Sequence, residues 1–92
     1  MIIVSYDIKD TSLRTSFSKF LLQYGRRLQF SVYEIKNSKR ILDIVTSELK
    51  NRFEKKFTQS DSVFIFRIVD KEILRFGYAK NEEGDLLMFG FD

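Results

Sequence analysis

Asp7 is the residue of this chain best placed to do chemistry. It follows the apolar run Met1 to Val4 and the pair Ser5-Tyr6, with Ile8 after it. Ile, Val and Tyr in so short a run read as a buried strand, so Asp7 stands where a central strand leaves the core. A carboxylate there needs a cationic partner: a metal ion, an arginine or a helix N-terminus. The residues leave several uses open. Asp7 holds a divalent cation, caps the helix that follows, or pairs with Arg14 or Arg27. The chain has no His and no Cys. That removes Ser-His-Asp chemistry, histidine general bases, thiol nucleophiles, disulfides and most zinc sites.

Charge is the second chemical signal. The net charge is +3, but residues 1–57 hold twelve Lys/Arg against six Asp/Glu, and residues 58–92 hold four against seven. The basic part favours a polyanionic partner. Lys50, Arg52, Lys55 and Lys56 read instead as a solvated helix end that suits the helix dipole.

The elements that must position these groups are punctuated regularly. The 92 residues, 43% hydrophobic with ten Phe and four Tyr, make one domain over residues 1–92, with a core in 1–70 and a C-terminal strand segment in 71–92. Strand one covers about residues 1–8. Asp10, Thr11 and Ser12 offer N-cap oxygens, and Leu13, Phe17, Phe20, Leu21 and Tyr24 follow at helical spacing, with Gly25 as the stop. Leu28, Phe30 and Val32 alternate with Gln29, Ser31 and Tyr33 as strand two, and Leu28 to Lys36 reads as one long or bent strand, or else a missing partner comes from the C-terminal segment. Asn37-Ser38 opens a second helix with Leu42, Val45, Leu49 and Phe53 as its stripe. Ser62 to Val69 is strand three, and Ile73–Ala79 and Leu86–Phe91 are further β-like pieces. This order fits an α+β, ferredoxin-like βαββαβ sandwich with an extra C-terminal strand. Strand parity puts Val63 and Ile65 on the open sheet face with Ile3, Ser5 and Asp7, and Phe64, Phe66 and Ile68 on the other. A half-apolar open face predicts a symmetric homodimer, with Leu86–Phe91 pairing onto the partner's sheet. The N-terminus lacks the pattern of a signal peptide and no apolar run approaches membrane-spanning length, so no membrane and a cytoplasmic location are expected.

Tyr6-Asp7-Ile8, then Asp10, Leu13-Arg14, Tyr24-Gly25 and the string Arg27-Leu28-Gln29-Phe30-Ser31-Val32-Tyr33-Glu34 together resemble the CRISPR-associated Cas-two family over roughly residues 1–70. The resemblance implies a ferredoxin-like homodimer that bridges CRISPR integrase dimers on double-stranded DNA during spacer acquisition, and a metal-dependent ribonuclease or deoxyribonuclease activity. It puts the family's strand-one acid, as catalytic and metal-binding residue, on Asp7. The helix-one Arg falls on Arg14, the strand-two Arg on Arg27, and the aromatic before Glu on Tyr33. A second helix-one Arg of some members is Ser16 here.

Without His, magnesium, or manganese in its place, is the agent for activating water and neutralising a phosphoryl group. It needs one or two carboxylates, which two Asp7 residues meeting across a two-fold axis would supply. Arg14, Arg26 and Arg27, extended by Lys36, Lys39 and Arg40, are candidate phosphate contacts. Tyr33 is a candidate for base stacking, or a core or interface aromatic. The alternatives are a toxin-type ribonuclease acting on single-stranded RNA and a non-catalytic ferredoxin-like nucleic-acid-binding module. The second is weakened by the lack of an aromatic-rich RNA-binding string.

Overall fold

Ile2–Asp7 form strand β1, in which every second side chain points to the same face. Ile2, Val4 and Tyr6 point to the face that two helices cover. The computed structural model describes residues 1–69 and 74–77. After β1 comes helix α1 (Thr11–Leu22), then strands β2 (Gly25–Gln29) and β3 (Val32–Ile35), helix α2 (Lys39–Glu48) and strand β4 (Ser62–Arg67). The sheet order is β2-β3-β1-β4, and all three pairings are antiparallel. Of the expected piece Ile73–Ala79 only residues 74–77 are described, and they are not strand; the expected piece Leu86–Phe91 lies outside the described residues.

Both helices start on the caps their sequences offer. The Asp10 carboxylate accepts from the Leu13 amide at 2.8 Å, and Ser38 Oγ accepts from the Ile41 amide at 3.3 Å. Each such cap is worth about 1 kcal/mol. α1 buries Leu13, Phe17, Phe20 and Leu21, and α2 buries Ile41 and Val45. Past α2 the chain makes a π turn over Leu49–Phe53 and a 3-10 turn over Glu54–Lys56, which brings Phe53 into the core at 2% exposure. The centre is aromatic. Phe17 meets Tyr6 edge-on at 5.2 Å and Phe53 at 5.0 Å, and Tyr6 lies over Tyr33 at 6.0 Å. Such pairs add about 0.5–1.5 kcal/mol each beyond their buried area.

Three expectations need correction. Residues 28–36 are not one strand. Phe30 and Ser31 make a two-residue turn between β2 and β3, with a register shift between Arg27 and Gln29, so the fourth strand of the sheet is internal and needs no C-terminal donor. Gly25 does not stop α1, which ends at Leu22. It opens β2, and a Cβ there would lie 1.8 Å from the Glu34 carbonyl oxygen of the paired strand.

The faces of β4 are also the reverse of the expectation. Val63 and Ile65 sit opposite Tyr6 and Val4 and pack on the core. Phe64 and Phe66 sit opposite Ser5 and Ile3, 59% and 49% exposed, with their rings stacked at 6.1 Å. The helix-side layer already holds Tyr6, Phe17, Phe20, Tyr33 and Phe53 at close packing, so the smaller β-branched pair is what fits there. One residue of register decides which set faces which way.

Candidate nucleic-acid and metal site at the end of β1

The short connection from β1 to α1 is tied down from three sides. Arg14 Nη1 donates to the carbonyls of Ile8 at 2.9 Å and Lys9 at 3.1 Å, and Nη2 donates to Thr11 Oγ1 at 3.2 Å. The Lys9 amide donates to Asp61 Oδ1 at 2.9 Å. Asp61 Oδ2 accepts from the amide and hydroxyl of Thr58, so one carboxylate joins the loop after β1 to the loop before β4. The Thr58 and Lys9 amides hold the Asp61 carboxyl below the usual carboxylate range.

Asp7 is thereby presented on a fixed strand end. Its side chain is 63% exposed, and both its oxygens face the Lys9 ammonium, at 3.1 and 3.3 Å. It caps no helix, since Asp10 does that, and its ion pair is with Lys9 rather than Arg14 or Arg27. No group of three or more potential metal ligands occurs among the described residues. One chain therefore offers magnesium a single carboxylate. That fits the ion's habit of keeping most of its waters, but the Lys9 ammonium competes for it.

The basic residues expected on phosphates divide among three places. Arg14 and Arg27 line an open cleft of about 600 Å³ between α1 and the β2–β3 turn, with Lys9, Lys19, Leu22 and Phe30. Arg27 is held there by Nε donating to the Tyr33 hydroxyl at 3.2 Å, and its guanidinium lies 5.8 Å from that ring's centre. Arg26, one residue earlier, points to the open sheet face with Glu34, 3.9 Å away. Lys39 and Arg40 begin α2, which follows the strand end where Ile35 pairs with Ile2, the end of the sheet away from Asp7. Lys39 pairs there with Asp43 at 3.1 Å.

Tyr33 is fully buried. Its ring has no face open to a base and belongs to the core, and its hydroxyl shares a hydrogen bond with Ser18. Beneath it the Tyr6 phenol is pushed up to about 12, by burial first and then by the Tyr33 phenol, so it remains a neutral group through the physiological range. On the open face, burial pushes the Glu34 carboxyl up against the opposing pull of Arg26.

Lys9, Asp61 and the Ser18–Tyr33–Arg27 network escape a reading of the sequence. Lys9 is one residue of a loop, and the others meet only through the fold. Nothing in the spacing marks them.

The comparisons agree with this architecture. The family profile of CRISPR associated protein Cas2 matches residues 1–75. The chain belongs to the Cas2 family. A hypothetical protein from Thermus thermophilus, TT1823, superposes with a TM-score of 0.72 at 25% identity, covering 84% of this chain and 89% of that one. Streptococcus pyogenes Cas2 superposes with a TM-score of 0.61 at 21% identity, covering 73% of this chain and 83% of that one. The second likeness shows the fold alone. A search of curated proteins gave no match. No helix among the described residues is long and apolar enough to cross a membrane.

Proposed function

We propose that this chain is a homodimeric protein of CRISPR spacer acquisition, on the ferredoxin-like plan, that holds double-stranded DNA together with the CRISPR integrase. The observation that carries the reading is the family match over residues 1–75. The excess of cations in the same span supports it, because phosphate contacts give affinity without sequence readout. Element order and the β2-β3-β1-β4 sheet support the ferredoxin-like βαββαβ reading.

A second activity, magnesium-dependent phosphodiester cleavage, is favoured by one further observation. Asp7 shares its sheet face with Phe64 and Phe66, opposite Ser62 in the same register. Two copies that cover these rings with each other bring their Asp7 ends toward a common axis. The two carboxylates would hold the ion there, and magnesium when bound supplies an activated water and charge neutralisation at phosphorus. The chain's own contribution is to fix both carboxylates, through the loop braced by Arg14 and Asp61.

The test compares purified wild type with Asp7→Asn for duplex binding, integrase-dependent DNA joining and magnesium-dependent cleavage. Binding and joining are expected in both proteins, and cleavage in the wild type only. Undiminished cleavage in the variant refutes the Asp7 site. Failure of wild type to bind duplex or support joining refutes the adaptor reading.

A further inference from the structure

The cleft between α1 and the β2–β3 turn combines features that neither a packed core nor a duplex-binding surface needs. Phe30 sits in a two-residue turn at 85% exposure and Leu22 beside it at 39%. Both line the same open space of about 600 Å³ as Lys19, Arg14 and Arg27. A single exposed apolar side chain needs no explanation. Here two of them share one concavity with four cations (Lys9, Arg14, Lys19 and Arg27), the Asp7 carboxylate and the hydroxyls of Thr15, Ser18 and Ser31.

The turn is also held firmly. The Ser31 carbonyl accepts from the Tyr6 amide at 3.0 Å, so Phe30 is presented by backbone pinned to the central strand. Arg14 and Arg27 are anchored by carbonyls and by the Tyr33 hydroxyl, which fixes positive charge in the cleft wall. Lys19 is exposed on α1 and lines the cleft.

We propose that this cleft binds one unpaired nucleotide, with its phosphate on Lys19 and its base on the ring of Phe30. The proposal rests on the reading that the partner is nucleic acid. It adds that an unpaired nucleotide is held in the cleft whose wall includes Asp7. The volume is that of a site for one small ligand. A paired, stacked base has no face to offer Phe30, whereas an unpaired one does, and aromatic stacking accepts any base.

The test is fluorescence anisotropy, with chelator and no divalent metal, of the wild type, Phe30→Ala and Lys19→Ala. The probes are a labelled tetra-thymidylate and a labelled duplex closed at both ends by non-nucleotide polyether linkers, with inorganic phosphate as competitor. Both substitutions are at exposed positions, and melting curves verify the fold. Phe30→Ala is expected to weaken tetra-thymidylate about tenfold while duplex affinity stays within about twofold, a contrast that base stacking alone produces. Lys19→Ala is expected to flatten the salt slope for the tetranucleotide by about 0.7. Equal tetranucleotide affinity in wild type and Phe30→Ala overturns the proposal. So does an equal loss on the closed duplex, or phosphate binding as tight as the tetranucleotide's. Wild type that binds the tetranucleotide but not the duplex leaves this site standing and removes the adaptor reading. Binding of the duplex alone does the reverse.

Discussion

Asp61 illustrates how an exposed carboxylate can matter. Its two oxygens accept from backbone amides on two different loops, Lys9 and Thr58, and those donors favour the ionised form. The sign of the pH effect follows. The folded pKa lies below the unfolded one, so as pH falls the unfolded chain takes up the proton first. The stabilisation is complete above the unfolded pKa and is lost as pH drops through the folded value. Asp61→Asn, which keeps the shape and removes the charge, should melt below wild type near pH 7, and the gap should narrow as the pH falls through and below the ordinary carboxylate range. Thermal melts across that range check this, and a gap that is constant with pH would show that the charge is irrelevant. At this scale Asp7 was legible, because a carboxylate ending an apolar strand is conspicuous in one dimension. Its Lys9 partner was not, since side chains two apart on an extended strand share a face but a loop residue's direction is set only by the turn after it. Arg14 was visible as a cation on α1, but its work on the carbonyls of Ile8 and Lys9 depends on the closeness of helix and strand end.

The elements divide by how strongly their own residues mark them. Both helices were readable, and their starts sharply so, because an apolar stripe at helical spacing and a capping oxygen agreed on where each begins; their ends, at Leu22 and Glu48, fall short of the stripes. The β2–β3 hairpin was not. Its turn, Phe30-Ser31, carries none of the Gly, Asn, Asp or Pro residues that announce a reversal. No non-glycine residue among those described has positive φ, so the turn is made without them while the apolar alternation runs straight through it. The Gly25 assignment failed because glycine has two uses, positive φ and lack of a Cβ, and only the packed sheet shows which is needed. Gly25→Ala forces a methyl into the Glu34 carbonyl, which is backbone and cannot step aside as a side chain could. The expected cost is about 3 kcal/mol or more, read as a fall in the urea midpoint with the slope unchanged. A variant as stable as wild type would mean that β2 can lift off β3 at no cost.

For the whole molecule, the open face is the feature with most consequence. Phe64 and Phe66 form a stacked aromatic pair there, more apolar than the Val63 and Ile65 surface that parity alone suggested, so the argument for a dimer is stronger than from sequence. Fully burying such a side chain is worth about 1.5–3 kcal/mol, and a two-fold interface counts each residue twice. If two copies pair through this face, as proposed, replacing both Phe64 and Phe66 by Ser should raise the dissociation constant of the pair at least about a hundredfold, seen by light scattering over a concentration series. An unchanged dimer would move the interface elsewhere, and with it the meeting of the Asp7 ends.

The pairing of β1 with β4 closes the sheet over a long stretch of chain. Met1 and Ile68 exchange hydrogen bonds across 67 residues, so one whole side of β1 is supplied only when β4 has been made. During synthesis, which proceeds at about 5–20 residues per second, β1 leaves the ribosome several seconds before its partner. For that interval its apolar edge is an unpaired template for any neighbouring chain. A transcript broken before Ser62 would therefore release a sticky fragment rather than a smaller version of the domain, and the cell's means of avoiding aggregates would be called on most in the time it takes to add β4.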